Sequence, residues 1–211
     1  MTKIFTNELS AQAYKKVRAM IMSKKLFPGQ KIVQDKLAEQ LGISRTPLRS
    51  ALQILEGEGL IESIPRRGVI VKAFNDREIL EIYDCRMALE GTAIRLYAER
   101  ASDKDILQLK KLFQPFMEGG IDAVAYQKAD AKFHDAIING CGNSFLNKLF
   151  HQGNLLVCID LIGLLRSPEE TLLEHLEMIE AIETRNLDLA ESLAKSHLNK
   201  TKQLILRKRN D

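Results

Sequence analysis

The sequence predicts a mainly α-helical protein with two parts: a winged helix-turn-helix over residues 1–74 and an antiparallel all-α bundle over residues 75–211. Three observations predict this architecture. A helix–turn–helix–hairpin pattern occupies Leu37–Gly68, and a 3.6-residue apolar period dominates from Asp76 onward. The two parts also carry opposite net charges.

The charges of the two parts are more informative than the net charge of the whole chain, which is only +3. Residues 1–73 hold 13 Lys and Arg against 6 Asp and Glu, a net charge of +7. Residues 74–211 hold 18 against 22, a net charge of −4. A basic part beside an acidic part indicates that only the first binds a polyanion such as DNA.

The N-terminal part begins with a predicted helix over Leu9–Lys25, which is followed by two helices joined by a tight turn. Leu37, Ala38 and Leu41 share one face of the first of these two helices. Gly42 then ends that helix, because glycine readily adopts the left-handed conformation found just beyond helix C-termini.

The next helix presents polar and basic groups at its N-terminal end. Ser44 or Thr46 can cap it, and Pro47 is tolerated in a first turn, where backbone amides have no helical partner. Leucines form its inward stripe, and four donors face the other way: Ser44, Arg45, Thr46 and Arg49. Donors in this position can bind guanine edges and phosphates in the DNA major groove. The alternative is an ordinary small helical domain with a basic face.

Two short strands joined by a basic turn follow that helix. Leu60–Ile64 and Val69–Val71 are rich in the apolar and β-branched residues that strands favour. The turn between them contains Arg66, Arg67 and Gly68. This hairpin is the predicted wing, and we expect its two arginines to lie near the DNA backbone or the minor groove.

Length, cysteine content and hydropathy bound the remaining possibilities. A chain of 211 residues has enough bulk for one or two hydrophobic cores. Cys85, Cys141 and Cys158 are far apart and odd in number, which favours packing thiols in a reducing cytosol over disulfides. The first residues contain no apolar stretch typical of a signal peptide. The longest apolar run, Leu155–Leu165, is interrupted by Asp160 and is too short to span a bilayer. We therefore expect a cytoplasmic protein with no membrane partner.

The C-terminal part has the pattern of a helical bundle. Asn75 or Asp76 can cap a long first helix, whose apolar face runs from Ile79 to Tyr97. Five more helices are predicted at Ser102–Met117, Ile121–Gly140, Ser144–Leu164, Pro168–Arg185 and Leu187–Lys208. Six helices with short connections indicate an antiparallel bundle.

Three of the four histidines and one aspartate are spaced to meet inside this bundle. Asp130 and His134 are four residues apart, so they share one face of a helix. His175 and His197 lie eleven residues before and after Asn186, and they meet at one height if Asn186 is the turn of a helical hairpin. One carboxylate and three imidazoles suit a divalent transition metal: zinc first, with nickel, manganese or iron as alternatives. The alternative for each histidine is an ordinary hydrogen-bonded core or surface residue.

Arg86 lies on the apolar face of the first bundle helix, where a buried cation needs a partner. It can pair with Glu90 one turn later, or it can hold a carboxylate bidentately inside the bundle. His151 has no partner at ligand spacing, and we expect it to be structural.

Two other classes of protein share parts of this pattern. A site with three histidines and one carboxylate can activate water in a metalloenzyme. The chain contains no HExxH and no GxSxG, however, and Glu174 is its only candidate for a base. The other rival is an architectural DNA-binding protein without an effector, which the intact set of candidate ligands argues against. We therefore expect a DNA-binding protein rather than an enzyme.

Several short motifs are specific enough to compare with known families. The first part contains LAEQLGISRTPLRSAL, LEGEGLIE and the wing RRG. The second contains YDCRMALE, DAKFH, the step Gly142-Asn143, and the spaced His175 and His197. With these motifs the chain resembles, over nearly its whole length, the GntR family of bacterial transcription regulators, in the FadR branch with a helical FCD domain. Its short second part is similar to the six-helix VanR-type group rather than to the seven-helix FadR-type group.

The resemblance implies a sequence-specific transcriptional regulator, expected to be a repressor, that binds a pseudo-palindromic operator as a homodimer. It also implies a small organic acid that binds beside a metal and changes the DNA affinity. The family's metal ligands correspond to Asp130, His134, His175 and His197. Its DNA contacts correspond to Ser44, Arg45, Thr46 and Arg49, with the wing glycine at Gly68.

The resemblance places effector contacts at Arg86 and Asn143. The chain departs from the family's pattern at two positions. Members often carry a glutamate where this chain has Gln34, and some carry an arginine where it has Asp35. The second difference leaves one phosphate or base contact of the family open.

Overall fold

The structure is a computed structural model that describes residues 2–210, except for the side chains of residues 2–7, 156, 157, 159, 160 and 208–210. The chain divides into two compact units, Met1–Ala73 and Phe74–Asp211. Helices make up most of the described residues, and the sheet among them has two strands. The predicted mainly α-helical class is therefore confirmed.

Three helices and a hairpin form the N-terminal unit. They are α1 (Thr2–Met22), α2 (Gln34–Leu41), α3 (Arg45–Gly57), β1 (Ile61–Ile64) and β2 (Gly68–Val71). α1 packs against α3, and the Tyr14 hydroxyl donates a 2.7 Å hydrogen bond to Glu58 Oε1 just beyond the end of α3. α1 thus begins before the predicted Leu9 and serves as a support for α3.

The turn between α2 and α3 follows from its sequence. Gly42 comes after α2 with φ 67°, in the left-handed region that glycine adopts without a Cβ clash. Ser44 is the N-cap residue of α3, but its side chain does not form the predicted capping hydrogen bond. Leu48 and Leu55 are fully buried on the inner face of α3, so this helix is held from behind while its other face remains open to solvent.

The hairpin has a third backbone partner, which the sequence pattern does not predict. β1 and β2 pair antiparallel over four residue pairs. The segment before α2 adds an isolated bridge between Lys31 and Ile70, and the backbone N–H of Ile32 donates to Val69 O at 2.8 Å. These bonds join the wing to the segment that leads into the helix-turn-helix.

Seven α-helices form the described part of the C-terminal unit. They are α4 (Asp76–Arg100), α5 (Asp103–Phe113), α6 (Ala123–Gly140), α7 (Ser144–Gln152), α8 (Leu155–Ile162), α9 (Pro168–Glu183) and α10 (Leu187–Asn210). Their core contains fully buried aromatic side chains, including Phe113, Tyr126 and Phe150. α10 packs against both α4 and α9, and α6 packs against α4, so these four helices surround one interior region.

The predicted count of six bundle helices is wrong. The predicted helix Ser144–Leu164 is divided into α7 and α8 at Gly153 and Asn154, and Asn154 adopts φ 50°, a left-handed conformation that no α-helix continues through. The predicted helix Ser102–Met117 ends as α5 and gives way to a 3-10 turn containing Pro115. The likeness to a six-helix group, which rested on the short length of the second part, has no support in the helix number.

Candidate metal centre and nucleic-acid interface

Three helices place the four predicted ligands around one point in the C-terminal unit. α6 supplies Asp130 and His134, α9 supplies His175, and α10 supplies His197 after a short turn at Asn186. All four side chains are buried, and one potential ligand atom from each lies within 4.8 Å of the others. His175 Nε2 is 3.4 Å from Asp130 Oδ1, and His134 Nε2 is 3.9 Å from the same oxygen. The geometry brings the predicted set together.

Each histidine of this cluster is oriented by a hydrogen bond to its Nδ1 atom. Glu90 Oε2 lies 2.5 Å from Nδ1 of His134, and Glu174 Oε2 lies 2.7 Å from Nδ1 of His197. The three Nε2 atoms are thereby left for the centre of the cluster. Bonds of this kind hold the ring tautomer and strengthen the opposite nitrogen as a metal ligand.

The third histidine is oriented by a hydroxyl rather than by a carboxylate. Tyr126 Oη lies 3.0 Å from Nδ1 of His175, and Thr171 Oγ1 lies 2.9 Å from Tyr126 Oη. Burial raises the pKa of Tyr126, so this hydroxyl remains protonated, and it accepts a hydrogen bond from Thr171 Oγ1. A protonated Nδ1 on His175 therefore has an acceptor inside the core.

The cluster fits a divalent transition metal by two further observations. His175 Nε2 is buried and has no hydrogen-bond partner among the described residues, which is costly for a polar atom unless a ligand completes it. Burial, reinforced by the neighbouring His197 and His134, lowers the pKa of His175 well below its ordinary value. Burial also lowers the pKa of His197. Neutral imidazoles are the form that binds metal.

Arg86 pairs with Glu90, the first of the two roles open to it from its sequence position, and it also borders the cavity. Its Nε donates to Glu90 Oε1 at 2.5 Å and its Nη2 to Glu90 Oε2 at 3.4 Å, while the guanidinium lies 5.0 Å from the centre of the Tyr83 ring. Burial alone would raise the pKa of Glu90, but Arg86 and His134 lower it to about 2. Arg86 also lines the cavity beside the cluster, and Nη1 is not used in either bond.

Arg166 is a second buried arginine at this site, and it was not predicted. It lies between α8 and α9, where Nη1 and Nη2 each donate to Glu174 at 2.7 Å and Nη1 also donates to His197 O at 3.3 Å. Glu174 in turn accepts from Lys200 Nζ at 2.7 Å. Burial alone would raise the pKa of Glu174, but its hydrogen bonds to His197, Arg166 and Lys200 lower this pKa well below its usual range. Glu174 is thus a fixed carboxylate and unsuited to be a base.

A cavity of about 30 Å³ lies against the cluster. Its lining includes Arg86, Arg166, Asp130, His134, His197 and Tyr83.

Asn143 is not among the described residues that line the cavity, because its side chain caps α7 by accepting from Leu146 N at 3.0 Å. His151 is exposed and bonds Asn139. The structure therefore brings Arg86 to the cavity and leaves Asn143 elsewhere.

The predicted DNA-contacting residues lie at the N-terminal end of α3. Ser44, Arg45, Thr46 and Arg49 are all exposed, whereas Pro47 and Leu48 between them are buried. Asp35 on α2 forms an ion pair with Arg45, and both side chains are well exposed. The acidic residue at position 35 therefore positions the first arginine of the recognition helix instead of offering a cation of its own.

The wing residues are exposed together at the end of the hairpin. Arg66 has φ 65° and Gly68 has φ 85°, so the turn uses two left-handed residues to reverse the chain. Arg67 lies between them and is also exposed. The wing and α3 belong to the same unit, which offers two separate sets of cationic side chains to a polyanion.

The N-terminal unit is a winged helix-turn-helix, and the C-terminal unit is a helical bundle with a buried cluster of potential metal ligands. This is the architecture of a two-domain regulator. The family described as "Bacterial regulatory proteins, gntR family" matches residues 9–71, and the FCD domain family matches residues 81–200. The chain belongs to the FCD-containing branch of the GntR family and is a DNA-binding transcriptional regulator. It is therefore a regulator and not an enzyme.

Individual relatives agree with this assignment. The HTH-type transcriptional regulator YdhC of Bacillus subtilis (strain 168) is 27% identical over 195 residues, covering 89% of this chain and 87% of the relative. The gluconate operon transcriptional repressor of Bacillus licheniformis is 28% identical over 184 residues, covering 82% and 75%. The solved structure of a GntR transcriptional regulator from Rhodococcus sp. RHA1 has a TM-score of 0.78 at 20% identity, covering 94% of this chain and 97% of that one, and shows the same fold.

Among the described residues, none of the helices combines the length and the apolar character that a membrane span requires.

Proposed function

We propose that the protein is a homodimeric repressor whose affinity for operator DNA changes when a small organic acid binds beside a metal in the C-terminal unit. The observation that supports DNA recognition most directly is the set of exposed donors at the start of α3, Ser44, Arg45, Thr46 and Arg49. Arg45 and Arg49 are suited to guanine edges and phosphates. Such a regulator acts on operator DNA in the bacterial cytoplasm.

The wing completes this proposed DNA interface. Arg66 and Arg67 would hold the backbone or the minor groove, and the left-handed Gly68 lets the hairpin turn back toward the sheet. Two copies of the unit would read two half-sites about one helical turn or more apart, as dimeric helix-turn-helix proteins do. A relative named as a gluconate operon repressor supports repression as the direction of control.

The proposed cofactor is a divalent transition metal, zinc first and nickel, manganese or iron as alternatives. Asp130, His134, His175 and His197 would hold it, and the partnerless Nε2 of His175 supports this assignment. The metal, when bound, supplies a positive centre at which a carboxylate can bind. Arg86 would hold the effector acid from the side of α4.

Regulation requires that the acid bind two states of the protein with different affinities. A ligand with equal affinity for the DNA-competent and DNA-incompetent states shifts neither population. A coupling of about 1–3 kcal/mol is typical of such systems. The observable consequence is a change in the operator dissociation constant when acid is added to the metal-loaded protein.

The test is a fluorescence anisotropy titration of a labelled duplex from the region upstream of the gene, with metal-loaded and chelator-treated protein and a panel of organic acids. Arg49→Ala is expected to lose about 1–3 kcal/mol of operator binding. Arg77→Ala is the matched control, because Arg77 is an exposed arginine on α4 that pairs with Glu81. Equal operator binding by Arg49→Ala and wild type would remove Arg49 from the interface. Operator binding that no acid changes would leave a regulator without the proposed effector.

A further inference from the structure

Two buried arginines flank the cluster, and each is connected to a histidine of the cluster through a glutamate. The two series of contacts are Arg86–Glu90–His134 and Arg166–Glu174–His197. In both, the guanidinium and the imidazole bind the same carboxylate, and the arginine lines the cavity. Arg166 has only 4% of its side chain exposed although it lies in a connection between helices. The site is therefore built from two similar halves.

Arg166 also separates the inner cavity from a larger space outside it. A cleft of about 320 Å³ lies on its outer side, lined also by Glu170, Lys200, Gln203 and Arg207. Arg166 is the one residue that lines both spaces among the described residues. Lys200 and Arg207 give the cleft a cationic wall, which raises the local concentration of anions.

The volume of the inner cavity requires part of its wall to move when an acid binds. The cavity measures about 30 Å³, enough for about two or three water molecules. An organic acid of the size of succinate is larger than that. An acid that reaches the cluster must therefore displace a wall residue, and Arg166 is the wall residue that borders the cationic cleft.

We propose that Arg166 is the second anion-binding residue of the effector site. The acid enters from the outer cleft, takes the place of Glu174 as the partner of Arg166, and lies between Arg166 and Arg86. This inference rests on the proposed function and narrows its effector class. Two guanidinium groups and a metal are best matched by an acid with at least two carboxylates.

The exchange of partners also explains how acid and metal affect each other. Glu174 released by Arg166 keeps its bond to His197 Nδ1. Because less of its charge is then neutralised by the arginine, the bond to His197 strengthens and Nε2 becomes a better metal ligand. Acid and metal are therefore expected to bind cooperatively, and the effect is reciprocal.

The experiment compares Arg166→Gln and Arg166→Lys with wild type in the full chain. Arg95→Gln is the matched control. Arg166 pairs with Glu170 as well as with Glu174, and Arg95 likewise pairs with two carboxylates, Asp188 and Glu191, but is not among the described residues that line the cavity. Each protein is stripped with a chelator and reloaded with Co²⁺. Calorimetry then gives the affinities for acetate, succinate and citrate, and competition with a chromophoric chelator gives the Co²⁺ affinity with and without each acid.

The expected result separates acid binding from metal binding. Arg166→Gln should bind succinate or citrate roughly 10–100-fold more weakly than wild type, because the acid loses charged hydrogen bonds. Its Co²⁺ affinity without acid should equal or exceed that of wild type, because no metal ligand is removed and Glu174, no longer paired with the arginine, bonds His197 more strongly. In wild type the acid should raise Co²⁺ affinity by about 5–150-fold, and this gain should shrink in Arg166→Gln but not in Arg95→Gln.

Two outcomes would overturn the inference, and they are distinguishable. If Arg166→Gln binds all three acids as wild type does, Arg166 is not an effector residue, while the proposed metal-dependent regulator stands. If metal-loaded wild type binds none of the acids, the effector part of the proposed function fails and this inference fails with it. Should Arg166→Gln not fold, Arg166→Lys decides: lysine cannot bind a carboxylate bidentately, so it must weaken succinate and citrate more than acetate.

Discussion

Two histidines of the cluster, His175 and His197, make the stability of the folded protein depend on pH. Burial lowers the pKa of His175 and of His197 in the folded protein, whereas both titrate near 6.5 when the chain unfolds. Below about pH 6.5 the unfolded state therefore binds more protons than the folded state, and the free energy of unfolding decreases as pH falls. Stability is complete above the unfolded pKa and is lost progressively toward the lower, folded pKa values.

We expect the metal-free protein to lose up to about 1.4 kcal/mol of unfolding free energy per pH unit for each of these histidines between pH 6.5 and 5. Urea unfolding in a chelator at several pH values measures this slope. His175→Gln should reduce the slope, because it removes one of the two histidines whose pKa is lowered by burial. A wild-type stability that is the same at pH 5 and pH 7 would contradict the prediction.

At the same scale, the residues that could be predicted are those whose positions follow from helical spacing alone. Spacing about Asn186 predicts that His175 and His197 meet, and their ring centres are 4.8 Å apart. Arg166 could not be predicted in this way, because it lies in a connection, where no period indicates which way a side chain points. Tyr126 precedes Asp130 by one turn on α6, yet its bond to His175 depends on how α9 packs against α6.

At the scale of elements, local chemistry determines where helices begin more reliably than where they end. Asn75 Oδ1 accepts from Glu78 N at 3.0 Å, and Glu78 Oε2 accepts from Asn75 N at 2.9 Å. This reciprocal pair is a capping box, and asparagine at this position is readable from the sequence. The division of α7 from α8 is harder to predict, because the apolar pattern continues on both sides of Gly153 and Asn154 and reads as one helix.

Asn75→Ala is expected to destabilise the C-terminal unit by about 1 kcal/mol, because α4 loses the side chain that satisfies a first-turn amide. Asn75→Ser keeps an oxygen acceptor and should retain most of that stability. The measurement is urea unfolding followed by circular dichroism at pH 7.5, which lies above the pKa of His175 and His197 in the unfolded chain. Equal midpoints for the alanine and serine variants would show that the cap contributes nothing to this helix.

At the scale of the whole molecule, the two units have opposite charges and separate cores, so each can bind its own ligand. The basic unit offers α3 and the wing, and the acidic unit encloses the cluster. Because the proposed DNA and acid sites belong to different units, any effect of one ligand on the other must pass through a change in the relative populations of protein states. Such an effect obeys a thermodynamic rule that holds whatever the structural details of the two sites are.

That rule is reciprocity: if an acid changes the operator affinity of the metal-loaded protein by a given factor, the operator must change the acid affinity by the same factor. We expect a factor of about 5–150, the range of typical couplings. Calorimetric titration of acid into the protein alone, and into the protein saturated with operator duplex, measures it at one fixed salt concentration. A scrambled duplex is the control for general charge effects, because non-specific binding depends on salt rather than on sequence. Equal acid affinities with and without operator, beside an operator affinity that acid changes, would mean that the acid acts outside the cavity. Matching factors would show that the acid site measured by calorimetry is the one coupled to operator binding.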